Sequence, residues 1–148
     1  MPKGLKLDGY LPYRLSIASN AVSRLIARAY EDRFGLTIPQ WRLIAVLAED
    51  GPLTPQALGI RTVMDKVTVS RAAQALVKRR LVQRAPHDAD GRSHRLALSK
   101  TGSRLYAEVA PVALAYERKL LQQFDASTVE GLKKLLLHLE RTAETLSG

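Results

Sequence analysis

The spacing of apolar side chains changes twice along this chain, and the changes mark out its elements. The first eight or nine residues show no periodicity. From Tyr10 to Phe34, Leu15, Ala18, Val22, Leu25, Ile26 and Ala29 recur at steps of three and four, which predicts one long amphipathic helix closed by Gly35. Thr37 followed by Gln40 has the form of a capping box, opening a helix through Trp41, Leu43, Ile44 and Leu47 to Glu49. Asp50-Gly51-Pro52 then predicts a turn. Thr54-Pro55 opens a short third helix through Leu58, Ile60 and Val63, because proline at the first helical position loses no needed N–H. Asp65 caps a fourth helix, Lys66 to about Arg80, with Val69, Ala72, Ala73 and Leu76 inward. Near residue 81 the period shortens to two. Residues 81–84 and 94–98 form a hairpin around a turn-rich stretch with Asp90-Gly91 at its tip. Helical spacing returns over 99–124, with Leu105, Val109, Val112, Tyr116 and Leu120 on one side. Ser127-Thr128-Val129-Glu130 reads as a second capping box before a last helix bearing Leu132, Leu135, Leu136 and Leu139.

Two helices joined tightly at 61–65, followed at once by a hairpin, make a winged helix-turn-helix. The expected fold is therefore mainly α: about six helices plus a two-stranded wing. Residues 36–100 form the DNA-binding lobe, and 10–34 with 101–146 form a helical dimerisation region. The terminal helices carry too much apolar surface on one face to stand alone, which predicts a two-fold homodimer.

Charge sharpens this picture. The net charge is +9, and +8 of it falls within residues 61–104, which hold eleven Lys/Arg against three Asp. Cations gathered in one segment suit a polyanion, since each neutralised phosphate releases condensed counterions. Cysteine is absent, so thiolate metal sites and disulfides are excluded. No apolar run approaches the roughly eighteen residues needed to span a bilayer. The N-terminus lacks the pattern of a secretion signal, so a cytoplasmic protein is expected, with no membrane partner. There is no glycine-rich phosphate loop, and no nucleophile has a plausible base partner, which argues against an enzyme.

Four stretches resemble the MarR-type regulators, in chain order and at that family's spacing. They are Leu36 to Ile44 (LTIPQWRLI), Thr68-Val69-Ser70-Arg71 with Leu76 and Leu81-Val82, the wing Asp90-Gly91-Arg92-Ser93, and Leu96 to Gly102 (LALSKTG). The match spans roughly residues 10 to 146. The family's wing often reads Asp-x-Arg-Asp-x-Arg; here Asp90 and Arg92 are kept, while His87 and Ala89 replace the first Asp and Arg. The resemblance implies a sequence-specific regulator on double-stranded DNA, a repressor by default, released by a small ligand such as an aromatic acid.

The DNA contacts expected on the fourth helix are Lys66, Val67, Thr68, Ser70, Arg71, Gln74 and Lys78, because Arg pairs with guanine and Gln with adenine in the major groove. On the wing they are Asp90 and Arg92, with Arg92 reaching a minor groove. Tyr13, Arg14 and Trp41 are the candidate ligand contacts, and Trp41 reads more readily as a core residue gripping the helix-turn-helix than as a stacking platform for bases. His87, Asp88, Asp90 and His94 lack regular ligand spacing, so neither metal nor cofactor is expected. With recognition helices about 34 Å apart, the DNA partner would be an imperfect palindrome. A ligand- or protein-binding module that has lost DNA binding is the rival reading. An RNA reader would want aromatic stacking residues that this chain does not supply.

Overall fold

The computed structural model describes residues 4–86 and 94–148. Among them are seven α-helices and a two-stranded antiparallel sheet. The helices are α1 (Leu11–Ala27), α2 (Glu31–Phe34), α3 (Ile38–Asp50), α4 (Pro55–Thr62), α5 (Lys66–Lys78), α6 (Lys100–Leu121) and α7 (Ala126–Ser147). The strands are β1 (Val82–Pro86) and β2 (His94–Leu98). A single 3₁₀ turn, Leu7–Gly9, precedes α1. This is the winged-helix order.

The first helix is not continuous to Phe34, so there are seven helices rather than about six. At Arg28–Tyr30 each backbone N–H bonds the carbonyl three residues back, and Tyr30 leaves helical geometry (φ −142°, ψ −16°). Ala27, Ala29 and Tyr30 are all buried, and no single α-helical face holds those three positions. Tightening the turn changes the helical phase and brings them inward together. Gly35 then closes α2 at φ +65°, a left-handed conformation that glycine adopts without steric cost.

Three caps open the helices of the lobe as expected. Thr37 and Gln40 complete the capping box, with their reciprocal bonds at 3.3 and 3.1 Å. The Thr54 hydroxyl accepts the Ala57 N–H, and the Asp65 carboxylate accepts the Thr68 N–H at 2.7 Å. The cap of α7 is Asp125 and not Ser127: its carboxylate accepts the Thr128 N–H at 2.8 Å, and the Ser127 hydroxyl donates to it. A carboxylate at the cap also offsets the positive end of the helix dipole, an advantage serine lacks.

The chain divides into two compact units, Met1–Ala113 and Leu114–Gly148. In the first, Leu43, Ile44 and Leu47 of α3 are buried, as are Leu58 of α4 and Val69, Ala72, Ala73 and Leu76 of α5. Leu81, Val82 and Leu96 continue this core into the hairpin, and Leu105 and Val109 of α6 are buried as well. The sheet pairs Val82 with Leu98 through Pro86 with His94. Leu53 adds a bridge to Leu96, exchanging both backbone hydrogen bonds at 3.1 and 2.7 Å, and so ties the base of the wing to the segment before α4. Ser99 ties α6 to the end of α5: its hydroxyl donates to the Arg80 carbonyl at 2.7 Å and accepts the Gly102 N–H at 3.0 Å. A Cβ on Gly102 would collide with the Leu81 carbonyl oxygen, so only glycine lets α6 pass this close. In the second unit, α7 has no buried residue.

The connection between α4 and α5 is strained at one point. Val63 holds φ +54° at the end of α4, with its N–H on the Gly59 carbonyl. Glycine is usual there, and a side chain costs about 1–2 kcal/mol in this conformation.

Candidate nucleic-acid interface

The interface begins with the two-sidedness of α5. Its buried stripe fixes the helix against α3 and α4, so the opposite side must face outward. Val67, Arg71, Gln74 and Lys78 are exposed there, and Lys66 and Ser70 are exposed on its flanks. Gln74 Nε2 donates to Ser70 Oγ at 3.4 Å, which holds two hydrogen-bonding side chains side by side. Thr68 is half-buried, and its N–H is spent on Asp65. That bond and the Thr68 hydroxyl hold the Asp65 carboxyl below the usual carboxylate range. Thr68 therefore sets the start of the helix, while its neighbours make up the exposed face.

The cations of this segment divide into two groups. Arg61 Nε bonds Asp50 at 3.1 Å and its terminal nitrogen meets Glu49 at 3.5 Å, which fastens the end of α4 to the end of α3. Arg79 donates to the Phe34 and Gly35 carbonyls at 2.7 and 3.4 Å, closing the C-terminus of α2. Lys66, Arg71 and Lys78 make no ion pair among the described residues. Arg84 on β1 is exposed, and Arg95 on β2 is half-buried. Asp90 and Arg92, with the wing substitutions His87 and Ala89 and also Asp88, lie outside the described residues. Between α4, α5 and the strands runs a groove of about 1080 Å³, with Ile60, Val63, Ser70, Gln74, Arg84 and His94 on its walls. The recognition helix is thus bordered by a trough rather than by packed protein.

The MarR family model matches residues 34–93, the segment that holds α3, α4, α5 and β1. An HTH-type transcriptional regulator of Mycobacterium bovis is 32% identical over 101 residues, covering 68% of this chain and 70% of that protein. The chain belongs to the MarR family. It is a DNA-binding transcriptional regulator, and members of the family are regulators rather than enzymes. A probable transcriptional regulator from Pseudomonas aeruginosa is 32% identical, with a TM-score of 0.77 over 90% of this chain and 99% of that one. A MarR/EmrR-family regulator from an Acinetobacter species shares the fold at a TM-score of 0.87 and 24% identity, over 95% and 99%.

For a MarR-family chain, the candidate ligand residues fall in instructive places. Tyr13 on α1 is half-buried and Arg14 is exposed. Trp41 on α3 lies between two tyrosines, with its ring centroid 5.4 Å from Tyr30 and 5.8 Å from Tyr106, and both pairs stacked. Both faces of the indole are therefore occupied, leaving its edge for any ligand. Burial pushes the Tyr30 phenol above its ordinary pKa, with the Glu31 carboxylate adding to the effect and the Arg42 guanidinium opposing it. The stack, the Leu53 bridge and the Arg79 cap were all missed from sequence. Each depends on a partner far along the chain, and no local spacing announces it. Among the described residues no three metal-ligating side chains gather, and no helix is long and apolar enough to cross a membrane.

Proposed function

We propose that the chain is a cytoplasmic homodimeric repressor that grips an imperfect palindrome in double-stranded DNA and releases it when a small aromatic acid binds. The observation that carries this reading is the exposed face of α5: one helix presents Arg71, Gln74 and Lys78 opposite a buried stripe, with Ser70 and Lys66 flanking. An α-helix fits the major groove, where Arg pairs with guanine O6/N7 and Gln with adenine N6/N7. Lys66 and Lys78 are placed to neutralise phosphates, and Thr68 orients the helix start. Asp90 and Arg92 are proposed as the wing contacts, with Arg92 in the adjacent minor groove.

The lobe 36–100 would hold these contacts, and 10–34 with 101–146 would form the dimer. Exposed apolar side chains support this at each end of the chain: Leu11, Leu15, Ile17 and Val22 on α1, and Leu132, Leu135, Leu136 and Leu139 on α7. Two-fold symmetry then sets recognition helices about 34 Å apart, one DNA turn. For the effector, Tyr13 supplies a ring, Arg14 a cation for a carboxylate, and Trp41 an edge. A Bordetella bronchiseptica regulator whose DNA binding is regulated by 6-hydroxynicotinic acid shares this fold, at a TM-score of 0.79 and 20% identity. An effector lowers DNA affinity by as much as it prefers the state that cannot bind DNA.

A gel shift on the DNA upstream of the protein's own gene tests the reading, with and without unrelated duplex competitor. A competitor-resistant complex that aromatic acids dissolve is expected. Absence of any competitor-resistant shift would point to the rival module that no longer binds DNA.

A further inference from the structure

We infer that Val67 reads the C5-methyl group of a thymine in each half-site, a specificity role that rests on α5 entering the major groove as proposed above. Val67 stands in the first turn of α5, directly after Lys66, and is 58% exposed. At about 100° per residue, Arg71, Gln74 and Lys78 all lie within about 40° of it around the helix axis. It is therefore the leading position of the stripe that faces outward, and residues near the N-terminus of a recognition helix are the ones that meet base edges.

Burial does not call for valine there. The side chain is mostly exposed and is not part of the buried stripe, and a β-branched residue is a poorer helix former than alanine, lysine or glutamate. Every neighbour on the stripe carries a donor or a charge, whereas Val67 offers two methyl groups and no hydrogen-bonding atom. The thymine methyl is the one apolar feature that a base pair shows in the major groove. Against a thymine, Val67 removes apolar surface from water on both sides. Against guanine, adenine or cytosine it covers polar edge atoms and returns no bond, which costs affinity. Both terms favour thymine. Ile60 and Val63 are exposed too, but they line the trough beside α5 together with Ser70 and Gln74, on the flank of the stripe that Val67 leads.

The test begins by selecting binding sites from a random duplex library with the full-length protein. Each thymine of the selected site is then replaced by deoxyuridine, which keeps the pairing and removes the methyl. Wild type should lose about fourfold in affinity per half-site at one position, the equivalent of about 0.8 kcal/mol for one buried methyl. Val67→Ala, which keeps the helix and does not lower its thermal unfolding midpoint, should lose clearly less than wild type at that same position, because a single Cβ methyl covers less of the thymine methyl. Selection with Val67→Ala should also relax the base preference there. A site with no uracil-sensitive thymine would overturn the inference, as would equal sensitivity in Val67→Ala, while leaving DNA binding intact. If no duplex is enriched at all, the DNA reading itself fails and the role of Val67 fails with it.

Discussion

Two arginines, one in the middle of α5 and one at its C-cap, show how one residue type takes two jobs. Arg71 is exposed and free of ion pairs among the described residues, whereas Arg79 donates to the Phe34 and Gly35 carbonyls. Arg71→Ala should weaken operator binding by about 1–3 kcal/mol and relax preference at one position per half-site, the signature of a lost bidentate base contact. Its unfolding midpoint should not move. Arg79→Ala should instead lower stability by about 0.3–1 kcal/mol through the loss of a cation at a helix C-terminus. Its selected site should match that of wild type. Urea unfolding and site selection on the two variants separate these outcomes, and an altered site for Arg79→Ala would contradict its structural assignment. The sequence made the exposed face of α5 legible because burial follows the helical period. It could not sort Arg79 from Arg71, because the carbonyls Arg79 caps come more than forty residues earlier in the chain.

At the scale of elements, local chemistry was the readable part. Thr37, Thr54 and Asp65 cap the helices they were expected to cap, since each cap needs only the residue three positions ahead. The break after α1 was hidden, because it follows from burying Tyr30 against Trp41, a tertiary demand. Asp65 also gives α5 a pH dependence. Its carboxyl is held below the usual range by the Thr68 N–H and hydroxyl, so the folded state favours the charged form. The stabilisation is therefore complete above the usual aspartate range and is lost as pH falls below about 4. Asp65→Asn keeps a capping oxygen but cannot titrate, so its helicity should decline less steeply in acid than that of wild type. Superimposable acid limbs by circular dichroism would remove Asp65 from the account. In the first turn of α6, Gly102→Ala should cost about 1–3 kcal/mol, because α6 or the Leu81 backbone must shift to admit the methyl. Thermal unfolding reads this directly, and an unchanged midpoint would mean that α6 yields at no cost.

Over the whole molecule, the sequence placed the charge and the apolar surplus, but it did not show which cations are committed within the fold. Arg61 and Arg79 are engaged internally, so the number of phosphates neutralised should fall short of the eleven cations in that window. Specific affinity should still fall steeply with salt, by about 0.9 log units per log unit for each phosphate contacted. A flat response would end the electrostatic argument. The apolar surplus is plainest on α7, which buries none of its residues within the chain while Leu132, Leu135, Leu136 and Leu139 stay exposed. Surface of that kind suits a partner, and in the proposed dimer a second copy would supply the same leucines in a self-complementary arrangement. Ending the chain before Ala126 should therefore give a monomer or an aggregate by sedimentation. It should also lose most of its operator affinity, because two half-sites no longer bind as one tethered pair. The lobe has its own core, so the truncated protein should keep the α3–α5 helices and the weak binding of a single half-site. A truncated chain that sediments as a well-folded dimer and binds the operator like wild type would move the dimer contact away from α7.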